Sequence, residues 1–256
     1  MCTLIILRRP DNPWPLIIAA NRDEMLDRPW TAPGRHWPDR PEVVAGRDDL
    51  AGGSWLGVNA TGVVAAVLNR HGTLGPAPGA RSRGELVLEA LDHPDAAAAA
   101  KAFADLDPKA YRSFNLVIAD NRDAFLVRSL GSAGHKVCPI PAGLSMLTAH
   151  ELNDESSARI RFYRPRFAEA APPDPEHGDL SGWERLMGSR EQESDAGPHG
   201  ALTIVTNEEN GRRTGYGTSS SSVIALASPE RRPPPGAIWR FAAGPPDITP
   251  FADVKL

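Results

Sequence analysis

The first seven residues read MCTLIIL at positions 1–7, and this stretch decides the fold prediction. The apolar run Cys2–Leu7 is typical of a β-strand, with a cysteine at its first position. Trimming of the initiator Met before the small side chain of Cys2 would leave a thiol and a free α-amino group on one residue. That amine has a pKa of about 7.7–8.0, so it can accept the thiol proton near neutral pH. The alternative is that Cys2 is only a small buried hydrophobe of the opening strand.

Composition indicates a globular protein and excludes several classes of partner. The 256 residues are 41% hydrophobic and 23% charged, with a net charge of −4. No basic stripe is present that would neutralise phosphates, so no nucleic-acid partner is expected. No apolar run approaches the roughly 20 residues of a membrane span, and the N-terminus lacks a secretory-signal pattern, so no membrane insertion is expected. Two cysteines, Cys2 and Cys138, suit a reducing cytoplasm better than a disulfide framework.

Apolar runs on either side of turn residues predict four β-hairpins. The chain between the paired runs contains Pro, Gly, Asn and Asp, which favour tight turns. The predicted pairs are Cys2–Leu7 with Leu16–Ala20, Ser54–Val58 with Val63–Leu68, Phe114–Ala119 with Ala124–Arg128, and Lys136–Ile140 with Leu144–Thr148. Later strands are predicted at Leu202–Val205, Ser221–Ala227 and Ala237–Ala242.

Helices are predicted between and after these hairpins. Ser82 and Glu85 match a capping box that opens a helix ending near Leu91. The other predicted helices are Asp95–Leu106, Ser156–Ala170 with a kink or break at Pro165, and Leu180–Met187. The predicted loops are Asn21–Leu50, Gly188–Gly200 and Arg231–Gly236. Hairpins with helices grouped between them predict one α+β domain, residues 1–256, of two antiparallel sheets flanked by helical layers.

Polar residues follow the second strand of two predicted hairpins and mark a candidate site. The tetrapeptide NRDE at Asn21–Glu24 ends the first hairpin, so it should lie beside Cys2 at the start of the partner strand. Its guanidinium would stabilise a thiolate, and its carboxylates could hold the amine or the arginine. A solvated polar turn is the alternative. Asn69 follows Val63–Leu68, and its amide could either donate to an oxyanion or cap a turn.

Several motifs, in order along the chain, resemble the NRDE family, also called the transport and Golgi organisation protein 2 family. They are Met1-Cys2, Asn21-Arg22-Asp23-Glu24, Gly52-Gly53-Ser54-Trp55-Leu56-Gly57-Val58-Asn59, Ser82-Arg83-Gly84-Glu85-Leu86 and Phe114-Asn115-Leu116. The resemblance covers Cys2 to about Thr148 and resumes around Tyr216-Gly217-Thr218. The family is similar, more distantly, to the N-terminal-nucleophile (Ntn) hydrolases. These include the cysteine acylases of non-peptide amides, such as bile salt hydrolase, penicillin V acylase and acid ceramidase.

This resemblance implies an Ntn-hydrolase-like αββα four-layer sandwich with Cys2 as the nucleophile. Taken with the residue arguments above, it leads to a set of expected site residues, without a metal. The expected catalytic residues are Cys2, Arg22, Asp23 and Asn69, and the expected binding residues are Asn21, Glu24, Trp55 and His150. Trp55 would line an apolar cleft or, alternatively, pack in the core.

Two positions depart from the pattern that the resemblance implies. The family reads Leu-Ser-Asn where this chain reads Leu147-Thr148-Ala149, so an expected oxyanion-hole amide is replaced by a methyl group. Loss of one such donor costs about 10²–10³ in rate. His150 could take over as a donor or acid, or be an exposed structural residue. Near the C-terminal strand the family reads Gly-Thr-Arg, and Ser219 stands in place of the arginine.

Three functions stay open at this point. Cys2 and the NRDE tetrapeptide favour a cysteine amidohydrolase that acts on a small non-peptide amide and requires no cofactor. Ala149 and Ser219 favour a non-catalytic descendant that binds or traffics haem or an acyl metabolite, in which the Cys2 thiolate or a nearby His would ligate haem iron. A protein-interaction module without small-molecule chemistry is the third. The first two predict a small-molecule substrate or ligand as the partner.

Overall fold

The computed structural model describes residues 2–230 and 236–256 of the chain. In chain order the strands are β1 (Thr3–Arg8), β2 (Leu16–Met25), β3 (Trp30–Gly34), β4 (Val43–Asp48), β5 (Leu56–Asn59), β6 (Val64–Asn69), β7 (Phe114–Ala119), β8 (Ala124–Ser129), β9 (His135–Pro139), β10 (Gly143–Leu147), β11 (Val205–Glu209), β12 (Arg212–Leu226), β13 (Ala237–Ala242) and β14 (Ala252–Asp253). The α-helices are α1 (Gly84–Leu91), α2 (Ala96–Phe103), α3 (Ala158–Glu169) and α4 (Ser181–Met187).

The described residues divide into two compact units, each with its own antiparallel sheet. The first unit contains residues 2–28, 142–227 and 236–255, and its sheet has the order β10-β1-β2-β12-β13-β14, with β11 paired to β12. The second unit contains residues 29–141, 228–230 and 256, and its sheet follows chain order from β3 to β9. The α+β class with antiparallel sheets is therefore confirmed, while the single domain over residues 1–256 stays a prediction.

Each sheet buries one face under its own pair of helices. In the first unit, α3 and α4 contribute Tyr163 and Trp183 to a core with Ile5, Ile17 and Val223 from the sheet. In the second unit the core combines side chains from α1 and α2 with the sheet residues; its members include Leu86, Val87, Phe103, Ala65, Leu116 and Ile118. β1 and β7 are buried at consecutive positions, so both of their faces are covered, as their continuous apolar sequences indicate.

Three of the four predicted hairpins are present, and the fourth is wrong. β1 pairs with β2, β5 with β6 and β7 with β8, all antiparallel. The segments predicted as the fourth hairpin belong to different sheets: β9 pairs with β8, whereas β10 pairs with β1. Pro141 lies between β9 and β10, and Gly143 (φ 92°) is the first residue of β10. Pro and Gly are common both in the turn of a hairpin and in a connection between two sheets. Their presence therefore does not distinguish these two structures.

The predicted loop Asn21–Leu50 is also wrong, because it contains the end of β2 and all of β3 and β4. β2 continues through its polar residues since β12 pairs with it as far as Met25. β3 carries Pro33, but it is the edge strand of its sheet, where a missing backbone N–H is tolerated.

The late strands differ in extent from their predictions. The predicted strand Leu202–Val205 overlaps β11 only at Val205, whereas β13 matches its predicted bounds. β12 is far longer than the predicted Ser221–Ala227, since its first half pairs with β11 through a two-residue turn at Asn210 (φ 52°) and Gly211 (φ 74°). Asn-Gly is the strongest short hairpin signal, and this pair lies outside the strands predicted above. The predicted loop Arg231–Gly236 lies, apart from Gly236, outside the described residues.

The four predicted helices are present with shorter ends. α3 runs unbroken through Pro165, so the predicted break is absent. The capping box before α1 is wrong in detail, because the Glu85 carboxylate accepts hydrogen bonds from Arg81 and the Ser82 hydroxyl accepts the Gly84 N–H at 3.3 Å. None of the helices in the described part of the chain is both long and apolar enough to cross a membrane.

Candidate active site

The pairing of β1 with β2 brings Cys2 next to the NRDE tetrapeptide. Thr3 lies opposite Asn21 in the antiparallel register, so Cys2 meets the chain just beyond Asn21. The half-buried Cys2 thiol donates to the backbone carbonyl of Asp23, with the sulfur 3.7 Å from the oxygen. The proximity expected from the hairpin is therefore present in the structure.

The carboxylate of Asp23 is fully buried, and both of its oxygens accept hydrogen bonds. Oδ2 accepts from the Arg159 guanidinium at 2.9 Å, and Oδ1 accepts from the Thr218 hydroxyl at 2.6 Å. The side chains of Arg159 and Asp23 are 2% and 0% exposed. Breaking such a pair by removing one partner is strongly destabilising, because it strands the other charge in the interior. This pair fixes Asp23, and with it the carbonyl that faces Cys2.

Arg159, on α3, connects three segments of the first unit. Besides Asp23, it donates to the Thr3 hydroxyl at 2.5 Å and to the His199 carbonyl at 2.9 Å. Thr3 directly follows Cys2, so one guanidinium holds the strand of the thiol, the strand of the carboxylate and the turn at His199. Sequence reasoning did not single out Arg159.

Arg22 is held by Ser219, the residue that stands where the resemblance implies an arginine. Its guanidinium donates to the Ser219 hydroxyl at 2.9 Å, and that hydroxyl donates to the Arg22 carbonyl at 3.1 Å. Ser219 is the extra residue of a β-bulge, because β12 pairs Thr218 with Asp23 and Ser220 with Arg22. The bulge therefore places the Ser219 hydroxyl within reach of both the guanidinium and the backbone carbonyl of Arg22.

The other two members of the tetrapeptide have structural contacts. Asn21 is buried, and its amide nitrogen donates to the carbonyls of Met187 and Leu202 at 3.0 and 2.9 Å. These bonds tie the end of α4 and the approach to β11 onto β2. Glu24 is partly exposed and accepts the Met25 N–H at 2.9 Å. Their assignment as binding residues stays a prediction.

The three remaining predicted site residues lie outside this cluster of contacts. His150 is in the first unit, with Nδ1 4.0 Å from the Asp154 carboxylate. Trp55 and Asn69 belong to the second unit. The Trp55 ring packs edge-to-face on Trp30, with ring centroids 5.7 Å apart, and covers Gly46. Their roles in binding and catalysis stay predictions.

The surroundings of Cys2 favour the protonated thiol. Burial raises the pKa of the Cys2 thiol, and the negative charge of Asp23 raises it further, while the guanidinium of Arg22 acts in the opposite direction. A thiol in this state needs a nearby base before it can act as a nucleophile, since the thiolate is the reactive form.

We expect the pKa of Cys2 to be measurable by alkylation. In protein that keeps Met1, the rate at which iodoacetamide alkylates Cys2 should still be rising above pH about 8.5, the ordinary pKa of a thiol. The raised pKa of Cys2 moves its ionisation to higher pH. Peptide mass spectrometry would separate Cys2 from the half-buried Cys138 in the same sample. A Cys2 midpoint at or below that of N-acetylcysteine amide would contradict the geometry described above.

Comparisons with known proteins agree on a family and on a fold. The sequence profile described as Transport and Golgi organisation 2 matches residues 1–231. The Transport and Golgi organization 2 homolog of Mus musculus is 35% identical over 114 residues, which cover 43% of this chain and 40% of the relative. The Bos taurus homolog is 37% identical over 119 residues, again 43% and 40%. The match thus spans two fifths of the length of these relatives.

Two solved structures are similar over nearly the whole chain. The conjugated bile acid hydrolase of Clostridium perfringens superposes with a TM-score of 0.51 and 11% identity, covering 100% of this chain and 97% of that one. The penicillin V acylase of Agrobacterium tumefaciens gives a TM-score of 0.51 and 11% identity, with coverage of 99% and 86%. At this identity the likeness shows the fold alone, and it confirms the Ntn-hydrolase fold class.

Proposed function

Since the chain belongs to the Transport and Golgi organisation 2 family and shares its fold with a bile acid hydrolase and an acylase, we propose that it is a cysteine amidohydrolase. The substrate is a small non-peptide amide, and Cys2 is the nucleophile. The observation that carries this proposal is the Cys2 thiol on the Asp23 carbonyl, with the Asp23 carboxylate held by the buried Arg159.

The reaction requires removal of Met1, which exposes the α-amino group of Cys2. That amine accepts the thiol proton, and Sγ bonds to the amide carbonyl carbon. The carbon–nitrogen bond breaks as the ammonium returns the proton to the leaving nitrogen, and a thioester forms. Water then hydrolyses the thioester, releases the acid and restores the thiol. Asp23 and Arg159 hold the nucleophile in place.

The test compares two preparations of the same chain that differ only in Met1. We expect intact-mass spectrometry to show loss of Met1 in natively expressed protein, and turnover of acyl amides only in the trimmed form, because only that form has a base on Cys2. Protein whose Met1 has been kept by blocking the aminopeptidase is the control. Equal turnover by both forms, or Met1 retained in the native protein, would overturn the N-terminal-nucleophile mechanism.

One observation favours the second candidate, a non-catalytic carrier of haem or an acyl metabolite. Ala149 is buried at the position where the resemblance implies an oxyanion-hole amide, and its methyl group cannot donate a hydrogen bond. A half-buried cysteine can nevertheless serve as a thiolate ligand to haem iron. Haem titration followed by absorbance should run beside the amide screen. Saturable haem binding by wild type, weakened in Cys2→Ser and without amide turnover, would select the carrier.

Both candidates place the protein in a reducing compartment, and we propose the cytoplasm. Cys2 and Cys138 are free thiols in the described part of the chain. A reactive Cys2 would need to stay reduced, which cytoplasmic thiol buffers ensure.

A further inference from the structure

Two donors share the backbone carbonyl of Asp23. The Cys2 thiol donates to its oxygen at 3.7 Å, and the Tyr216 hydroxyl donates to the same oxygen at 3.1 Å. The phenol and the thiol therefore meet at one atom. Neither the mechanism above nor the predicted site uses Tyr216.

The position of Tyr216 is determined by β12. Tyr216 and Thr218 are two residues apart on this strand, so their side chains project from the same face. Both bind Asp23: Tyr216 binds its carbonyl, and Thr218 binds its carboxylate. Between them, Gly217 lies so close to the Ile204 carbonyl that a Cβ atom would sit 2.9 Å from that oxygen. This packing confines the backbone next to Tyr216, so the Tyr216 hydroxyl stays close to the Asp23 carbonyl.

The phenol of Tyr216 keeps its proton and can therefore donate a hydrogen bond in either ionisation state of Cys2. Burial raises the pKa of Tyr216, and the negative charges of Asp23 and of an ionised Cys2 raise it further, so its proton stays in place whenever the thiol titrates. The thiol, in contrast, loses its proton and therefore its bond to the carbonyl on ionisation. A thiolate left facing carbonyl lone pairs is unfavourable unless a donor is near.

We propose that Tyr216 is a catalytic residue that acts on Cys2: its hydroxyl binds the Asp23 carbonyl while the thiol is protonated and turns to Sγ when the thiol ionises. Tyr216 thus stabilises the nucleophilic form without touching the substrate. The inference deepens the proposed function and rests on it for the reacting role of Cys2, but the exchange of hydrogen bonds can be tested without turnover.

The test is the pH dependence of Cys2 alkylation in the full chain with Tyr216→Phe. We expect the midpoint to rise and the rate at pH 7.5 to fall by about three- to tenfold, since one hydrogen bond to the thiolate is lost. The matched control is Tyr163→Phe, which removes the hydroxyl of a buried tyrosine of the same unit, bonded to Ser189 at 2.9 Å. The control, and Cys138 in every sample, should keep the wild-type rate.

A second variant covers the case in which Tyr216→Phe does not fold. The chain has three tyrosines, so Tyr111→Phe with Tyr163→Phe leaves Tyr216 alone, and 3-fluorotyrosine can then be placed only there. Its more acidic phenol is a stronger donor, and the Cys2 midpoint should fall. A midpoint that is unchanged or moves in the opposite direction in either experiment overturns the role of Tyr216. Absence of amide turnover alone overturns the proposed function and leaves the Tyr216 result standing.

Discussion

Cys2→Ser is expected to lower the kcat for amide hydrolysis by at least about 10³-fold while leaving substrate affinity nearly unchanged. A serine hydroxyl fits the space of the thiol and can still donate to the Asp23 carbonyl, so the fold and the binding site should persist. The hydroxyl is far harder to deprotonate than a thiol, so much less of the nucleophilic form is available near neutral pH. The measurement is kcat and Kd of trimmed protein with one acyl amide that wild type hydrolyses.

Cys138→Ser is the matched control for the loss of a thiol. Cys138 is also half-buried, but it lies on β9 in the second unit, and its replacement should leave kcat unchanged. Turnover by Cys2→Ser within tenfold of wild type would remove Cys2 from the chemistry. A change in ligand affinity without any turnover in wild type would instead identify a carrier.

The part of the site that follows from local geometry could be predicted from the sequence. Cys2 and Asp23 meet because the ends of a hairpin must meet, and the turn residues between Leu7 and Leu16 are readable. Arg159 could not be predicted in this way. α3 contains four arginines, at positions 159, 161, 164 and 166, and nothing in the sequence distinguishes the buried one. Only the folded chain brings Arg159 to Asp23 across 136 positions.

The wrong strand predictions have the same origin, namely contacts between residues that are distant in sequence. Which sheet a strand joins depends on partners distant in sequence, so β9 and β10 resemble a hairpin although each pairs elsewhere. Polar strands such as the end of β2 are ordered by their neighbour β12 and not by their own composition. The Asn210-Gly211 turn is different, because these two adjacent residues by themselves predict a hairpin turn.

Arg159→Met is expected to lower the free energy of unfolding by about 3–5 kcal/mol, because it leaves the Asp23 carboxylate buried without its counter-charge. The matched control is Arg161→Met, two positions along the same helix. Arg161 pairs with Glu193 at the surface, where its side chain is 46% exposed, and such pairs contribute about 0–1 kcal/mol. Urea unfolding followed by tryptophan fluorescence would measure both variants.

The double variant Asp23→Asn with Arg159→Met decides what the ion pair is for. Removing both charges together should recover part of the stability lost in Arg159→Met, because no unpaired charge then remains in the interior. Amide turnover should not recover with it, since the carbonyl that holds Cys2 would no longer be fixed by the pair. If the double variant regained both stability and wild-type kcat, the pair would be a replaceable element of the core and not part of the active site. The double variant could instead regain neither stability nor turnover, while Arg161→Met keeps wild-type stability. In that case the hydrogen bonds of Arg159 to Thr3 and His199 would contribute more to stability than its charge does.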